Sequence, residues 1–438
     1  MRTIRIGAGA GYSGDRIDPA VELAERGSLS YLVFECLAER TIALAQKARL
    51  LDPSGGYDPL LEERMEAVLP LCVRDGVRIV SNMGAANPIA AVSKTREVAQ
   101  HLGLRGLRIA AITGDDVLTT ILQNPAQFAD IGPDQLVSAN AYLGAEPIVD
   151  ALAAGADIVI TGRVADPSMF LAPLAHEFRW SLQDWTTLGQ GTVIGHLLEC
   201  AGQITGGYFA DPPYSFIPDL AHLGFPLAEV SEDGSAVISK VEGSGGRITR
   251  STCTEQLLYE VQDPSAYLTP DVVADFSAVQ LEDAGADRIR VSGGRGTTRP
   301  ETLKVSVGYQ GSYVGEGQIS YAGPGARARA ELAREIVAER LRASRIHDLR
   351  FDLIGISSMH GPIPPNPNCA PCEVRLRVVA RADSRKEAAL IGREVEALYT
   401  NGPAAGGGVT YSVRETIAII PTLIPRSCVQ PAIHFEEC

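Results

Sequence analysis

The sequence predicts an α/β protein in three parts. Residues 1–211 should form a mostly parallel sheet flanked by helices, because short apolar runs alternate there with stretches of helical spacing. Residues 212–345 should form a mixed, partly antiparallel region, since apolar and polar residues alternate there around glycine-rich turns. Residues 346–438 should form a small α+β domain, because patterns typical of strands and of a helix recur in this part.

Five compact apolar runs predict the strands of the parallel sheet. Each run ends in small or polar residues, as expected for strands that are buried on both faces. They read TIRIGAG, YLVFEC, VRIVSNMG, LRIAAITGDD and DIVITGR. The segments between them, such as NPIAAVSKTREVAQHLG, have helical spacing, so the first part should be a series of βαβ units.

The pattern changes near Pro212. DPPYSFIPDLAHLGFP is rich in proline and aromatic residues and is typical of a connection. Alternating stretches then predict antiparallel strands, and GARARAELAREIVAERLRAS predicts a long helix. In the last part, CEVRLRVVARADS predicts a strand and RKEAALIGREVEALYTNG a helix.

Charge and hydropathy narrow the class of partner. The 39 Lys and Arg against 53 Asp and Glu give 39 − 53 = −14, which disfavours nucleic acid and anionic membranes. No apolar run reaches about 18 residues, and the N-terminus lacks the pattern of a signal peptide. We therefore expect a cytoplasmic protein with a small-molecule substrate and no membrane partner. A homo-oligomer is the default expectation for a large enzyme.

Three glycines near the N-terminus form a G-x-G-x-x-G pattern directly after the first apolar run. They are Gly9, Gly11 and Gly14. Glu35 follows about 20 residues later, where a nicotinamide dinucleotide site would place its ribose-binding acid. However, such a site needs a helix that begins at the glycines, and Pro19 would fall inside that helix. The pattern therefore favours a ligand-binding loop over a dinucleotide site.

Polar residues follow the apolar strands and should meet at the carboxyl edge of the sheet, where open α/β folds bind ligands. As catalytic candidates we identify Asp15, Glu35, Arg163 and Asp166, and as substrate-binding candidates the three glycines with Asn82 and Asp115. The alternative is that the acids are helix N-caps, a role open to Asp166.

His196 and Glu199 are further catalytic candidates. On a helix they lie at i and i+3 and share a face, which would allow proton transfer or metal binding. Two ligands do not complete a metal site, so a divalent metal is possible but no cofactor is firmly predicted. The alternative is a polar helix face packed at a domain junction.

A group of basic residues after residue 287 is the best place in the sequence for an anion such as the phosphates of coenzyme A. Arg295, Arg299 and Lys304 are its substrate-binding candidates, although such a group can also be solvated surface. His360, on a proline-rich loop, is a candidate base that could equally be structural.

Several of these stretches carry a family resemblance: GAGAGYSGDR, SNMGAANP, TGRVADPS, GHLLECAGQITGGYFAD, VSGGRGTTRPETLKVSVGY and LYTNGPAAGGG. Together they resemble the acyclic terpene utilisation family named after AtuA, over essentially the whole chain. The resemblance implies a bacterial catabolic protein that acts on acyclic terpenoids or related branched acids through CoA thioesters. It also implies a lyase that releases acetate from a 3-hydroxy-3-isohexenylglutaryl-CoA, but it transfers no catalytic residues.

Such a cleavage needs a base for the hydroxyl proton and an electrophile for the enolate. Glu35 or Glu199 would be the base, and Arg163, backbone amides of a glycine loop or a divalent cation would be the electrophile. Hydration of an activated double bond uses the same groups, so a hydratase or a metal-dependent hydrolase stays open. A non-catalytic subunit that binds an acyl-CoA is a further alternative.

Overall fold

The computed structural model describes residues 2–123, 131–342, 344, 346–359, 361 and 371–438. The chain forms two compact units. Unit 1 comprises Met1–Gly308 with Ile419–Cys438, and unit 2 comprises Tyr309–Ala418. The division of the sequence at residues 211 and 345 stays a prediction.

The strands of the described residues are, in chain order, β1 Thr3–Ala10, β2 Tyr31–Phe34, β3 Arg78–Ser81, β4 Arg108–Thr113, β5 Leu136–Ala141, β6 Ile158–Thr161, β7 Pro226–Ser231, β8 Ala236–Lys240, β9 Tyr267–Leu268, β10 Val273–Asp275, β11 Gln280–Asp283, β12 Ile289–Ser292, β13 Arg295–Thr297, β14 Thr302–Ala322, β15 Ile346–Ile354, β16 Glu373–Ala382, β17 Gly406–Pro425 and β18 Ala432–Glu437.

The α-helices of the same residues are α1 Asp18–Arg26, α2 Glu39–Leu51, α3 Leu61–Asp75, α4 Pro88–His101, α5 Leu118–Gln123, α6 Glu146–Ala153, α7 Ser168–Phe178, α8 Trp185–Leu198, α9 Arg250–Leu258, α10 Ala326–Leu341, α11 Arg385–Glu396 and α12 Leu398–Asn401. Across the described part of the chain, no helix combines the length and the apolar character needed to cross a bilayer.

The main sheet of unit 1 has ten strands in the order β11-β12-β8-β7-β1-β2-β3-β6-β4-β18. The five apolar runs of the first part form β1, β2, β3, β4 and β6, which are mutually parallel. The prediction of a mostly parallel sheet is wrong for the sheet as a whole, which is mixed. Antiparallel strands extend it on both sides, because the β7–β8 hairpin joins β1 and the C-terminal β18 joins β4.

The central strands are buried on both faces. All four residues of β2 and all four of β6 are buried, which explains why their sequences are apolar throughout. Helices cover them: α1 packs on β1 and α3, while α4 packs on β4 and α3. The layers therefore leave only the ends of the strands open to a ligand.

Helix α8 lies inside unit 1 and brings His196 to the core. Its residues from Leu188 to Leu198 are all buried, and it contacts α7, β10 and β13. Gly189 makes this packing possible, because a Cβ there would lie 2.0 Å from the carbonyl oxygen of Arg295. Strands β13, β10 and β9 form a separate three-stranded sheet in unit 1.

Unit 2 is a smaller α+β body. Its sheet has the order β15-β16-β14-β17, and the pairs β14–β16 and β15–β16 are antiparallel. Helices α10 and α11 pack on β16, and their apolar residues form a separate core with Leu376 and Val378. The boundaries between the units fall within β14 and β17.

Candidate functional site

A cavity of about 770 Å³ opens in unit 1 beside the carboxyl ends of β1, β2 and β6. Much of its wall is apolar and includes Leu37, Ala165 and Leu303. Its charged side chains, as far as the structure describes the chain, are five carboxyls and two cations: Glu35, Glu39, Asp166, Glu199 and Glu260 with Arg163 and Lys304. The position matches the edge at which open α/β sheets bind ligands.

Glu35 is the buried carboxyl that follows β2. Its Oε1 accepts hydrogen bonds from the backbone N–H of Leu37 at 2.7 Å and from the Asn82 side-chain amide at 3.1 Å. Burial raises the pKa of Glu35 to about 8, and the nearby Asp166 adds to this effect while Arg163 opposes it. A carboxyl with this pKa exchanges a proton near neutral pH, as a general acid or base must.

Asn82 lies behind Glu35 and does not line the cavity. Its side chain is fully buried, and its oxygen accepts the backbone N–H of Cys36 at 2.7 Å. The amide nitrogen is thereby directed at Glu35. The structure thus places Asn82 where it orients a catalytic candidate.

Arg163 is a buried cation after β6. Its guanidinium donates hydrogen bonds to the carbonyl oxygens of Leu37 and Val164 and to the Asp166 carboxylate. The guanidinium carbon also lies 4.4 Å from the centre of the Tyr142 ring. With only 1 % of its surface exposed, Arg163 places a fixed positive charge in the wall, in contact with Asp166 and close enough to Glu35 to lower its pKa.

Asp115 supports Arg163 and does not line the cavity. Its carboxylate accepts the backbone N–H of Arg163 and the side-chain amide of Asn140, both at 2.9 Å. Burial raises its pKa to about 6. These contacts position the turn after β6.

His196 and Glu199 form a buried pair at the end of α8. The predicted helix is present, and His196 Nδ1 lies 2.9 Å from Glu199 Oε1. Burial lowers the pKa of His196 to about 4 and raises that of Glu199 well above its usual value. Burial therefore favours the neutral form of both residues. Glu199 lines the cavity, whereas His196 lies behind it against the rings of Tyr267 and Phe276.

Lys304 lies near Arg163 in the cavity wall, since both cations contact the Tyr142 ring. It also contacts Glu39, and neither Tyr142 nor Glu39 was predicted from the sequence. Its ammonium group donates to Glu39 at 3.1 Å and lies 4.7 Å from the centre of the Tyr142 ring. The Tyr142 hydroxyl donates to the same carboxylate at 2.6 Å. Although burial opposes the effect, these donors hold the pKa of Glu39 at about 2. Glu39 therefore stays charged at neutral pH.

The glycine loop after β1 approaches the cavity at Gly11. A Cβ at this position would lie 2.6 Å from the carbonyl carbon of Cys200, so only glycine fits without a backbone shift. Gly9 is packed on the Phe34 ring, Gly14 lies beside Tyr12, and neither lines the cavity.

Asp15 closes the same loop on itself. Its carboxylate accepts the backbone N–H groups of Gly11 and Arg16, both at 2.9 Å, and burial raises its pKa. Asp15 does not line the cavity.

Arg64 on α3 holds the glycine loop after β1 in place through hydrogen bonds to its backbone. It is fully buried, forms an ion pair with Asp58 at 3.2 Å and donates to the Ser13 carbonyl at 2.8 Å. The Ser13 hydroxyl in turn donates to Asp58 at 2.6 Å. Arg64 could not be predicted from the sequence, because α3 carries several charged residues and no local pattern distinguishes this one.

Two of the basic candidates lie away from the cavity. Arg295 is exposed on β13, and Arg299 pairs with Glu146 at 3.4 Å. His360 lies outside the described residues. Of the substrate-binding candidates, the structure therefore brings Gly11 and Lys304 to the cavity wall together with Glu35, Arg163, Asp166 and Glu199.

Two features of the structure concern possible cofactors, a dinucleotide and a metal ion. Helix α1 begins at Asp18, with Pro19 in its first turn, so the glycines do not open the helix. Across the described part of the chain, no three His, Cys, Asp or Glu side chains are arranged to hold a metal ion.

An open cleft of about 940 Å³ adjoins the cavity, and Tyr259 and Glu260 line both. The cleft also carries the exposed side chains of Tyr208 and Leu258, together with Arg250 at the start of α9. A ligand longer than the cavity can therefore extend into this cleft.

Comparison with known proteins gives a single result. A family model described as acyclic terpene utilisation family protein AtuA matches residues 4–435 of the 438-residue chain. Among the curated proteins and the solved structures, no significant match was found. The family match includes every residue of the cavity wall. The chain therefore belongs to the acyclic terpene utilisation family AtuA.

Proposed function

We propose that the protein is a lyase of acyclic terpene utilisation that cleaves a carbon–carbon bond in a branched hydroxyacyl compound, carried as a CoA thioester. The family implies the role in terpene utilisation. The observation that carries the reaction type is Glu35, a buried carboxyl with a pKa of about 8 in the wall of the cavity.

The reaction is a retro-aldol cleavage of a tertiary alcohol. Glu35, in its ionised form, removes the hydroxyl proton as the oxygen becomes a ketone. The electrons of the breaking carbon–carbon bond pass to the departing acetate unit as an enolate, and a second proton is delivered to its carbon. One proton is taken up and one is given back, so neither water nor a redox partner is consumed.

Two cations face the developing negative charge. Arg163 is held rigidly by its hydrogen bonds to the backbone carbonyl oxygen of Val164. The Lys304 ammonium, in contrast, is half-exposed and donates one hydrogen bond to Glu39. Lys304 therefore has donors left for a substrate carboxylate or enolate. Preorganised charges of this kind stabilise a transition state without reorganising during the reaction.

The acidic wall is compatible with an anionic substrate because burial disfavours the charged form of three of its five carboxyls. Burial raises the pKa values of Glu35, Asp166 and Glu199 above their ordinary values. The negative charge of the wall is thereby reduced relative to the positive charges of Arg163 and Lys304.

The shape of the site also supports a branched chain. The cavity volume of about 770 Å³ falls in the range of roughly 300–1,000 Å³ that is usual for small-molecule sites. The apolar wall provides room for a hydrocarbon branch, and the adjoining cleft provides room for the pantetheine arm.

The test is turnover of 3-hydroxy-3-isohexenylglutaryl-CoA by the purified protein, with acetate followed by NMR and the 3-oxoacyl-CoA by mass spectrometry. We expect both products in equal amounts, and a kcat about 10²–10⁴-fold lower for Glu35→Gln. The matched control is Glu63→Gln, an exposed acid on α3 that should turn over like the wild type.

The pH profile adds a second criterion. Because Glu35 must be ionised, kcat/KM should rise about tenfold per pH unit at acidic pH and level off near pH 8. Release of water or of free coenzyme A in place of acetate would replace the lyase by a hydro-lyase or a hydrolase. Tight binding without any product would identify a binding subunit instead.

A further inference from the structure

The pair of His196 and Glu199 leaves two buried polar atoms unused. His196 is 1 % exposed and Glu199 is 8 % exposed. Within the described part of the chain, neither His196 Nε2 nor Glu199 Oε2 has a hydrogen-bond partner. A buried polar atom without a partner costs free energy, so its retention beside a cavity points to a role with a ligand.

We propose that Glu199 is the proton donor of the cavity and that His196 is its positioning residue. In this arrangement the imidazole N–H at Nδ1 donates to Oε1, and the transferable proton lies on Oε2. The proposal rests on the lyase function, for which it names the source of the second proton.

The geometry around Oε1 supports this division of roles. The Nδ1–Oε1 distance of 2.9 Å is that of a normal hydrogen bond. With Oε1 occupied as an acceptor, the carboxyl proton is left on the other oxygen. When that proton departs, the Nδ1–H group is already in place to stabilise the carboxylate.

The backbone and the aromatic rings hold the imidazole in this position. The Gln256 side chain donates to the carbonyl oxygen of His196 at 2.9 Å. The rings of Tyr267 and Phe276 lie 5.2 and 5.3 Å from the imidazole centre. The imidazole is therefore confined, as a positioning residue must be.

Burial favours the neutral form of both His196 and Glu199. For His196, backbone groups of Leu257 and Gln256 and the charges of Glu260 and Asp166 act against burial and raise the pKa. For Glu199, Asp166 and Glu260 on neighbouring loops disfavour a carboxylate. Arg163 opposes this effect, and Cys200 and Tyr267, which adjoin Glu199, are uncharged because burial raises their pKa values. Glu199 therefore holds a proton that it can give to the departing carbanion, while Glu35 removes the proton of the alcohol. After turnover Glu35 is protonated and Glu199 is ionised. Proton exchange with solvent then restores the starting state of both groups.

The first arm of the test needs no substrate. The infrared difference spectrum of wild type and Glu199→Gln at pH 7 should contain the carbonyl stretch of a protonated carboxylic acid. In protein labelled with ¹⁵N-histidine, the signal missing from His196→Asn should be a neutral imidazole with its proton on Nδ1. A carboxylate band, or an imidazolium, would overturn the proposal whether or not the lyase function holds.

The second arm measures turnover with the substrate named above. Glu199→Gln should lower kcat about 10²–10⁴-fold with little change in KM, and it should remove the alkaline limb of the pH profile. His196→Leu removes the donor to Oε1, so it should lower kcat and move the alkaline limb to higher pH. His196→Asn keeps an N–H near the position of Nδ1 and should restore much of both.

The outcomes separate the two proposals. Wild-type activity with an unchanged Glu199→Gln variant would overturn the donor and leave the lyase intact. No activity in the wild type would overturn the lyase, while the spectra would still decide the state of the pair. Trp185 lies on the same helix as His196, so its fluorescence shows whether each variant is folded.

Discussion

Replacing Glu35 by Gln should stabilise unit 1 in a way that depends on pH. Gln has the shape of the neutral carboxyl and keeps the oxygen that accepts the N–H of Leu37 and the Asn82 amide. The folded-state pKa of Glu35 lies near 8, against 4.5 for the free side chain. Each pH unit between these values corresponds to about 1.4 kcal/mol, which gives roughly 5 kcal/mol in total.

The sign follows from proton binding. Between pH 4.5 and pH 8 the unfolded chain loses the proton of Glu35 while the folded protein keeps it, so the wild type loses stability as pH rises through this window. Glu35→Gln has no proton to lose. The two proteins should be similarly stable near pH 4.5, and the variant should be more stable by a margin that grows until about pH 8.

Urea titrations at pH 5 to 9 measure this difference. The only two tryptophans of the chain, Trp180 and Trp185, both lie in unit 1, so their fluorescence reports the unit that contains Glu35. As a control, Glu39→Gln should be less stable than the wild type by a constant amount over this range, because the pKa of Glu39 is already low. A difference between Glu35→Gln and wild type that does not change with pH would refute the raised pKa.

Three further results are expected. Gly11→Ala should lower the free energy of unfolding by about 1–3 kcal/mol, because the new Cβ would overlap the Cys200 backbone. As a control, Gly55→Ala should have little effect, since the nearest atom to its Cβ lies at 3.4 Å. Equal urea midpoints for the two variants would argue against the close approach at Gly11. Arg64→Met leaves a buried carboxylate without its cation and should cost about 3–5 kcal/mol, whereas Arg74→Met on the surface of the same helix should not change the midpoint measurably. Coenzyme A at about 100 times its Kd should stabilise the folded state by roughly 2.7 kcal/mol, and a thermal midpoint that does not respond to coenzyme A or acetyl-CoA would count against a thioester substrate.

The parallel core could be predicted from the sequence because strands buried on both faces are apolar throughout. The same rule predicted the positions of Glu35 and Arg163, since Glu35 directly follows β2 and Arg163 lies two residues after β6. Strand β8 lies in an alternating stretch and could be recognised as a strand, whereas β7 was not predicted and Pro226 was assigned to the connection. Alternation also does not reveal which edge a strand will join. For that reason the mixed character of the sheet was not predicted.

The rest of the site depends on tertiary packing that no local pattern records. Arg64 has charged neighbours on α3 and resembles a surface residue, yet it is fully buried under the glycine loop. Tyr142 and Glu39 meet Lys304 from distant parts of the chain, and a lone acid at the start of a helix was the one available sign of Glu39. The roles proposed for the candidate site residues stay predictions until variants are assayed.

The edge position of β18 has a consequence for how the protein is made. Thr113 of β4 and Ala432 of β18 are paired although 319 residues separate them. At about 5–20 residues per second, the ribosome needs roughly 15–60 s to synthesise that stretch. During this time β4, with Ile109 and Ile112, presents an unpaired apolar edge of the kind that aggregates. The yield of folded protein in cells should therefore depend on chaperones that shield the nascent chain, more than on the stability of the finished fold.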